Sequence, residues 1–258
     1  MDWKLTKSLY ILVFLLINVA LLMMYYNKQQ EDIREIENSP GVLEETNIDL
    51  TQLPEHQPEK LNILAGEKVD FNEVEEVSEA SVEIINDGYI IQEDFEAGSG
   101  TLEMTAESLR RHKEEQVYRG GNYQYDDIMS NDNAMLFNQY YGDYPIFNNE
   151  AARVIYRGNG TEAIEYEQGY ITNLRENSLT SPIAVRNSRQ VVSDLYMRQR
   201  ISEEAVIENA RLGYYIILSD DDQVLLRPKW ELQITDQGVE KAIYVDAISE
   251  TEDIIESE

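Results

Sequence analysis

The chain has 258 residues, no cysteine, and 21 basic against 50 acidic side chains, for a net charge of −29 at pH 7. Without cysteine there are no structural disulfides and no thiol chemistry. A surface this acidic repels nucleic acid and anionic lipid headgroups, so neither is expected as a partner. A domain of about 200 residues can still bury enough surface to stand on its core alone.

Residues 9–26 read LYILVFLLINVALLMMYY, an apolar run with one polar member, Asn18. As a helix this run is about 27 Å long, close to the ~30 Å hydrocarbon core of a bilayer. Trp3 and Tyr10 at one end, and Tyr25 and Tyr26 at the other, stand where an interfacial aromatic belt would. Lys4 and Lys7 precede the run, while the far side turns acidic at Glu31 and Asp32. The positive flank assigns residues 1–8 to the cytoplasm and the remainder to the outside. The run exceeds the ~7–15 residue core of a signal peptide, and no A-x-A-like site follows it, which predicts an uncleaved anchor with one span in the lipid bilayer. Phe14, Asn18, Ala20 and Leu21 are its candidate partner-binding residues. Asn18 can donate a hydrogen bond to a neighbouring helix, and Ala20 permits close approach.

Beyond residue 27 the chain keeps 19 basic and 49 acidic side chains. Residues 27–60, with Pro40-Gly41, Pro54, Pro58 and many carboxylates, read as an acidic stalk. Leu43, Ile48, Leu50 and Leu53 could form a short docking segment within it. Residues 61–250 are predicted to be the extracytoplasmic domain, and residues 251–258 an acidic tail.

Within that domain Val69–Phe71 suggests a short strand. Val82–Ile85 and Tyr89–Ile91 flank Asn86-Asp87-Gly88, a strong hairpin signal. Thr105 can cap a helix running to about Arg119 and stopping at Gly120-Gly121. Arg110, Arg111 and Lys113 make that helix the one basic cluster of the exported part, read as a solvated face or a contact for acidic groups. The aromatic run from Tyr123 to Phe147 reads as core. Residues 154–156 and 163–167 form a second hairpin around Gly158-Asn159-Gly160. Val191, Val192, Leu195 and Tyr196 suit an amphipathic helix after Ser188. Residues 212–218, 224–234 and 242–248 predict an antiparallel meander turning at Ser219–Asp222 and Asp236-Gln237-Gly238, with Arg227-Pro228-Lys229 bending an edge.

The residues carry no catalytic signature. His56 lies in the stalk and His112 in the basic helix, neither at metal-ligand spacing. There is no nucleophile elbow and no phosphate-binding loop. Asp220-Asp221-Asp222 lacks the alternation, glycine and distal glutamate of a calcium loop. With so many acids, a chance pair of carboxylates means little. No catalytic residue, cofactor or metal is predicted.

Met1-Asp2-Trp3-Lys4 with Thr6-Lys7, Phe137-Asn138-Gln139, Pro145-Ile146-Phe147 and Leu212-Gly213-Tyr214-Tyr215 occur in order along the chain. Leu226-Arg227-Pro228-Lys229-Trp230 and Tyr244-Val245-Asp246-Ala247 follow. Taken together they resemble the YycI family, the membrane-anchored regulators found beside YycH. The resemblance implies an α+β exported domain of antiparallel sheets with packed helices, in two lobes like the later domains of YycH. It implies no enzyme activity. It also implies a complex with a YycH-like protein and a WalK (YycG)-type sensor histidine kinase that controls cell-wall metabolism, with contacts that include the membrane helix. Three other readings compete: a PepSY-like peptidase-inhibitor module, because the 230–247 hairpin resembles such a strand pair; a single-span divisome or wall scaffold; and, as the enzyme alternative, a wall hydrolase.

Overall fold

The computed structural model describes residues 43–44, 46–78, 82–95, 102–147, 149–248 and 254–257, with positions 13, 14, 17–19, 21 and 23. The chain runs through β1 (Lys60–Leu61), β2 (Leu64–Lys68), a 3-10 turn (Phe71–Glu73), α1 (Glu75–Ser78), β3 (Glu83–Ile85) and β4 (Ile90–Asp94). It continues with α2 (Ala106–Gln116), β5 (Tyr123–Asn131), β6 (Ala134–Tyr141), β7 (Tyr144–Pro145), β8 (Arg153–Gly158) and β9 (Ala163–Gln168). It closes with β10 (Ile171–Glu176), β11 (Ile183–Ala184), α3 (Ser188–Met197), β12 (Val206–Asp220), β13 (Gln223–Asp236), β14 (Val239–Asp246) and β15 (Ile254–Ser257). The class is α+β, dominated by antiparallel sheet.

A seven-stranded sheet has the order β3-β4-β9-β8-β6-β5, with β7 on β6. The expected hairpins build it: β3 pairs with β4 and β8 with β9. Asn86, Asp87 and Gly88 all take positive φ, the left-handed backbone a tight reversal needs. Helix α2 lays Leu109 on one face of this sheet, in a core with Ile91, Phe137, Val154, Tyr156 and Tyr166. Thr105 caps it by accepting from the Ser108 N–H at 3.3 Å. The helix ends at Gln116, short of the expected Arg119, because Val117 leaves the helix to enter the core and Arg119 turns left-handed at φ 51°.

A six-stranded sheet is built on the C-terminal meander, which forms as expected. Strand β13 pairs with β12 along its length on one side. On the other side its first half pairs with β2 and its second half with β14. Pro228 therefore lies inside a central strand and bends no edge. It falls between the last β2 partner, at Leu226, and the first β14 partner, at Lys229. A strand residue points its N–H and C=O to the same side, and the Pro228 carbonyl accepts from Ala247 N at 3.1 Å. The nitrogen with no hydrogen thus sits where the neighbouring strand changes and no ladder bond is lost.

Two further elements depart from expectation. The strand expected at Val69–Phe71 lies earlier, at Leu64–Lys68, because Asp70 accepts from Asn72 N at 3.0 Å and turns the chain into the 3-10 turn. Ile254–Ser257, within the expected acidic tail, adds β15 to β14, with Ile254 and Ile255 packed on the core.

The meander buries one face under α3. Val191, Val192 and Leu195 meet Leu212, Trp230, Leu232, Ile234, Ile243 and Val245 there. The docking segment joins them: Leu43 and Ile48 are buried, with Leu50 and Leu53 packed against the same cluster. Asp49 and Val206 form a parallel bridge, in which Ile207 N donates to Asp49 O at 3.2 Å.

The span expected at residues 9–26 lies largely outside the described residues. Positions 13, 14, 17–19, 21 and 23 are helical. Among the described residues no helix is long and apolar enough to cross a membrane.

Candidate functional site

The opposite face of the meander meets the seven-stranded sheet, and the junction is polar. Strand alternation puts Arg211, Gly213, Lys229, Glu231, Tyr244 and Asp246 on this face. Arg211 lies at its centre. Its Nη2 donates to Asp126 Oδ2 at 2.7 Å, across from β12 to β5, and its Nε donates to the Glu231 carboxylate. The Tyr244 hydroxyl donates to the other Glu231 oxygen at 2.8 Å, and Asn138 Nδ2 donates to Asp126 at 2.5 Å. Both carboxylates are 1% exposed, so the guanidinium is their principal compensation. Burial pushes the Glu231 carboxyl above its ordinary range, while Arg211 and Tyr244 hold it down.

Aromatic packing completes the seam. The Arg211 guanidinium lies 5.1 Å from the Phe147 ring centre, and Phe147 packs on Tyr244 at 5.8 Å. A Cβ on Gly213 would fall 2.5 Å from the Phe147 ring, so only glycine allows this approach. Lys229 is fully buried with its ammonium 4.9 Å from the centre of the Tyr215 ring. Gln139 clamps β10 to β6: its amide donates to Ile171 O at 2.6 Å and accepts from Ile171 N at 2.9 Å. Trp230 Nε1 donates to Arg186 O at 3.0 Å, and Arg186 pairs with Asp194 of α3. The seam holds no exposed nucleophile. Its chemistry is that of a rigid joint between two sheets.

A second titratable cluster lies on the seven-stranded sheet. His112 of α2 is boxed by Phe95, Tyr156 and Tyr166, with ring centres 5.4–5.9 Å away. Its Nδ1 is 2.9 Å from the Tyr156 hydroxyl. Burial lowers the His112 pKa, with Glu115 opposing, so the folded protein favours the neutral ring. The unfolded chain takes up the proton first as pH falls below about 6.5, and this stability is lost on acidification. Glu93, beside Tyr166, is raised by burial and acts in the opposite sense. Urea unfolding at pH 7.5 and 5.5 separates the two. Wild type should lose more stability between these values than His112→Gln does, and equal losses would contradict the assignment.

Lys113, expected on the solvated basic face, is 3% exposed and donates to Tyr123 O at 2.8 Å. A helix position alone does not show that a long side chain reaches a carbonyl across the core. Arg110 and Arg111 remain outside.

Of the membrane-face candidates, Phe14, Asn18 and Leu21 are helical and exposed, at the i, i+4, i+7 spacing of one face. Asn18 Nδ2 donates to Phe14 O at 2.8 Å, so its amide is satisfied within its own helix. Ala20 lies outside the described residues. Sequence reasoning does not single out the seam residues as a site. The signal available is the consecutive aromatic pair Tyr214-Tyr215, which requires both faces of a strand to be covered.

Fold and seam together define an α+β domain whose two large antiparallel sheets are joined by the ion pairs of Arg211, with no catalytic arrangement among the described residues. The chain belongs to the YycI family: the family model described as "YycI protein" matches residues 25–248. This is a family of membrane-associated regulators rather than of enzymes. The match begins at residue 25, so nearly all of the apolar run precedes it. No curated protein matches the chain. Among solved structures, the chain is similar to an uncharacterized protein from Eubacterium rectale ATCC 33656, at 9% identity and a TM-score of 0.50. The alignment covers 81% of this chain and 89% of that one, and carries the fold alone. The family-like segments inside the described residues, from Phe137-Asn138-Gln139 to Tyr244-Val245-Asp246-Ala247, gather at or beside the seam.

Proposed function

We propose that this protein is a single-span, non-catalytic regulator of a WalK (YycG)-type sensor histidine kinase, acting with a YycH-like protein on cell-wall metabolism. The observation that carries the reading is family membership over residues 25–248, directly after an apolar run of membrane-spanning length. Residues 1–8 lie in the cytoplasm, residues 9–26 cross the bilayer, and the two-sheet domain stands outside as two lobes like the later domains of YycH. Leu43, Ile48, Leu50 and Leu53, within the stretch read as a stalk, pack on the domain. Phe14, Asn18 and Leu21 present one helix face to kinase spans, Ala20 is a further candidate contact, and the acidic domain engages YycH or the sensor domain. A rigid domain suits this work, since a regulator biases a two-state kinase only by differential contact with its two forms.

Mild crosslinking in membranes, followed by purification of the full-length chain in detergent, tests the partners. A YycH-like protein and a WalK-like kinase should be recovered. Recovery of division or wall-protease proteins in their place would move the reading to a scaffold or an inhibitor.

A further inference from the structure

A cleft of about 910 Å³ opens between the two sheets, away from the polar seam. Its walls come from the end of β2, the β3–β4 turn, the start of β8 and the β12–β13 turn. The volume is that of a small-ligand site of about 300–1,000 Å³.

Two cations line it. Arg153, at the start of β8, is partly buried, and its Nε is closed off from solvent with no hydrogen-bond partner. Among the described residues its guanidinium makes no ion pair. Four residues along the same strand, Arg157 reaches Glu165 and Glu167 at 2.8 Å each. Arg153 has no such close contact, and Glu167 and Glu150 act on it only through space. Lys68 lies across the cleft with its ammonium 4.2 Å from the centre of the Tyr89 ring, also without an ion pair among the described residues. Burial and the neighbouring Arg157 lower the Arg153 pKa while Glu167 and Glu150 oppose them, and a bound carboxylate would add to that opposition.

Three carboxylates, Asp87, Glu150 and Asp221, share the walls, and Glu150 accepts from Asn86 Nδ2 at 3.2 Å. These acids and the overall charge disfavour a polyanion or a phosphate ester. A ligand with one negative and one positive end matches both sets of groups.

We propose that this cleft binds a short zwitterionic peptide, its terminal carboxylate on Arg153 with Lys68 adding charge, and its terminal ammonium among Asp87, Glu150 and Asp221. The proposal does not rest on the kinase reading. It would place a ligand in contact with both sheets at once.

Calorimetry on the full-length chain in nanodiscs tests it, with trialanine as the probe. Saturable binding is expected. C-terminal amidation and N-terminal acetylation should each weaken it by about tenfold or more, as loss of one charged partner implies. Arg153→Gln should do the same, while Arg189→Gln, on the exposed side of α3, should leave affinity unchanged. The amidated and acetylated peptides are measured on the unaltered protein, so the test holds even if the Arg153 variant folds poorly. No saturable heat with trialanine, equal binding of the blocked peptides, or displacement of trialanine by inorganic phosphate would overturn the proposal.

Discussion

Replacing Arg211 with alanine is expected to lower the stability of the folded domain by about 3–5 kcal/mol at neutral pH. The cause is the pair of buried carboxylates left behind, not the Coulomb energy of one bridge. Asp126 and Glu231 are each 1% exposed, and Arg211 is the cation that reaches both. The pH dependence distinguishes this from simple loss of packing. Glu231 is already raised by burial, and removing the guanidinium that opposes this raises it further. A carboxyl with a raised folded pKa contributes stability that is full below its unfolded value and is lost as pH rises through the folded value. Arg211→Ala should therefore recover stability relative to wild type as pH falls from 7 toward 5. Urea titrations at both pH values measure this. A variant as stable as wild type, or a deficit that does not shrink with acidification, would contradict the seam's role.

Trp230→Ala is expected to cost about 3–5 kcal/mol as well, through a cavity. Trp230 is 1% exposed among Val191, Val192, Leu195 and the aliphatic residues of β13 and β14. The indole also ties α3 to the sheet, because its N–H bonds the Arg186 carbonyl while Arg186 holds Asp194. Trp230→Phe keeps most of the volume and loses the hydrogen bond, for a cost of about 1 kcal/mol. Unfolding followed by circular dichroism should rank the proteins wild type, Trp230→Phe, Trp230→Ala. A small effect of alanine would mean that α3 is not held by this core.

Local chemistry makes the hairpins and the meander legible. Asn86-Asp87-Gly88 and Gln237-Gly238 dictate reversals by their backbone preferences, and alternation in β13 marks its strand. What alternation cannot show is that the polar face is covered too. Glu231 and Lys229 look solvent-facing in sequence, yet the second sheet buries them. The same limit hides Lys113, whose partner carbonyl lies ten residues on, in another element. Pro228 departs from the expected edge because a local rule assigns proline there, while the gap between β2 and β14 is a tertiary feature. The docking of Leu43 and Ile48 is legible in the aliphatic residues of that segment, whereas the pairing of Ile254–Ser257 is obscured by the acids around it. Composition suggests solvated chain, but a few aliphatic residues suffice to dock a segment onto a preformed core.

In the proposed function this protein changes the output of a sensor kinase by contact. The most direct measurement is autophosphorylation of a WalK-type kinase in liposomes, with a YycH-like protein, before and after adding the full-length chain. A coupling of about 1–3 kcal/mol predicts a change of several-fold or more. The change should vanish when residues 9–26 are exchanged for an unrelated span of equal length. Kinase output that is the same with and without the chain would contradict the regulator reading.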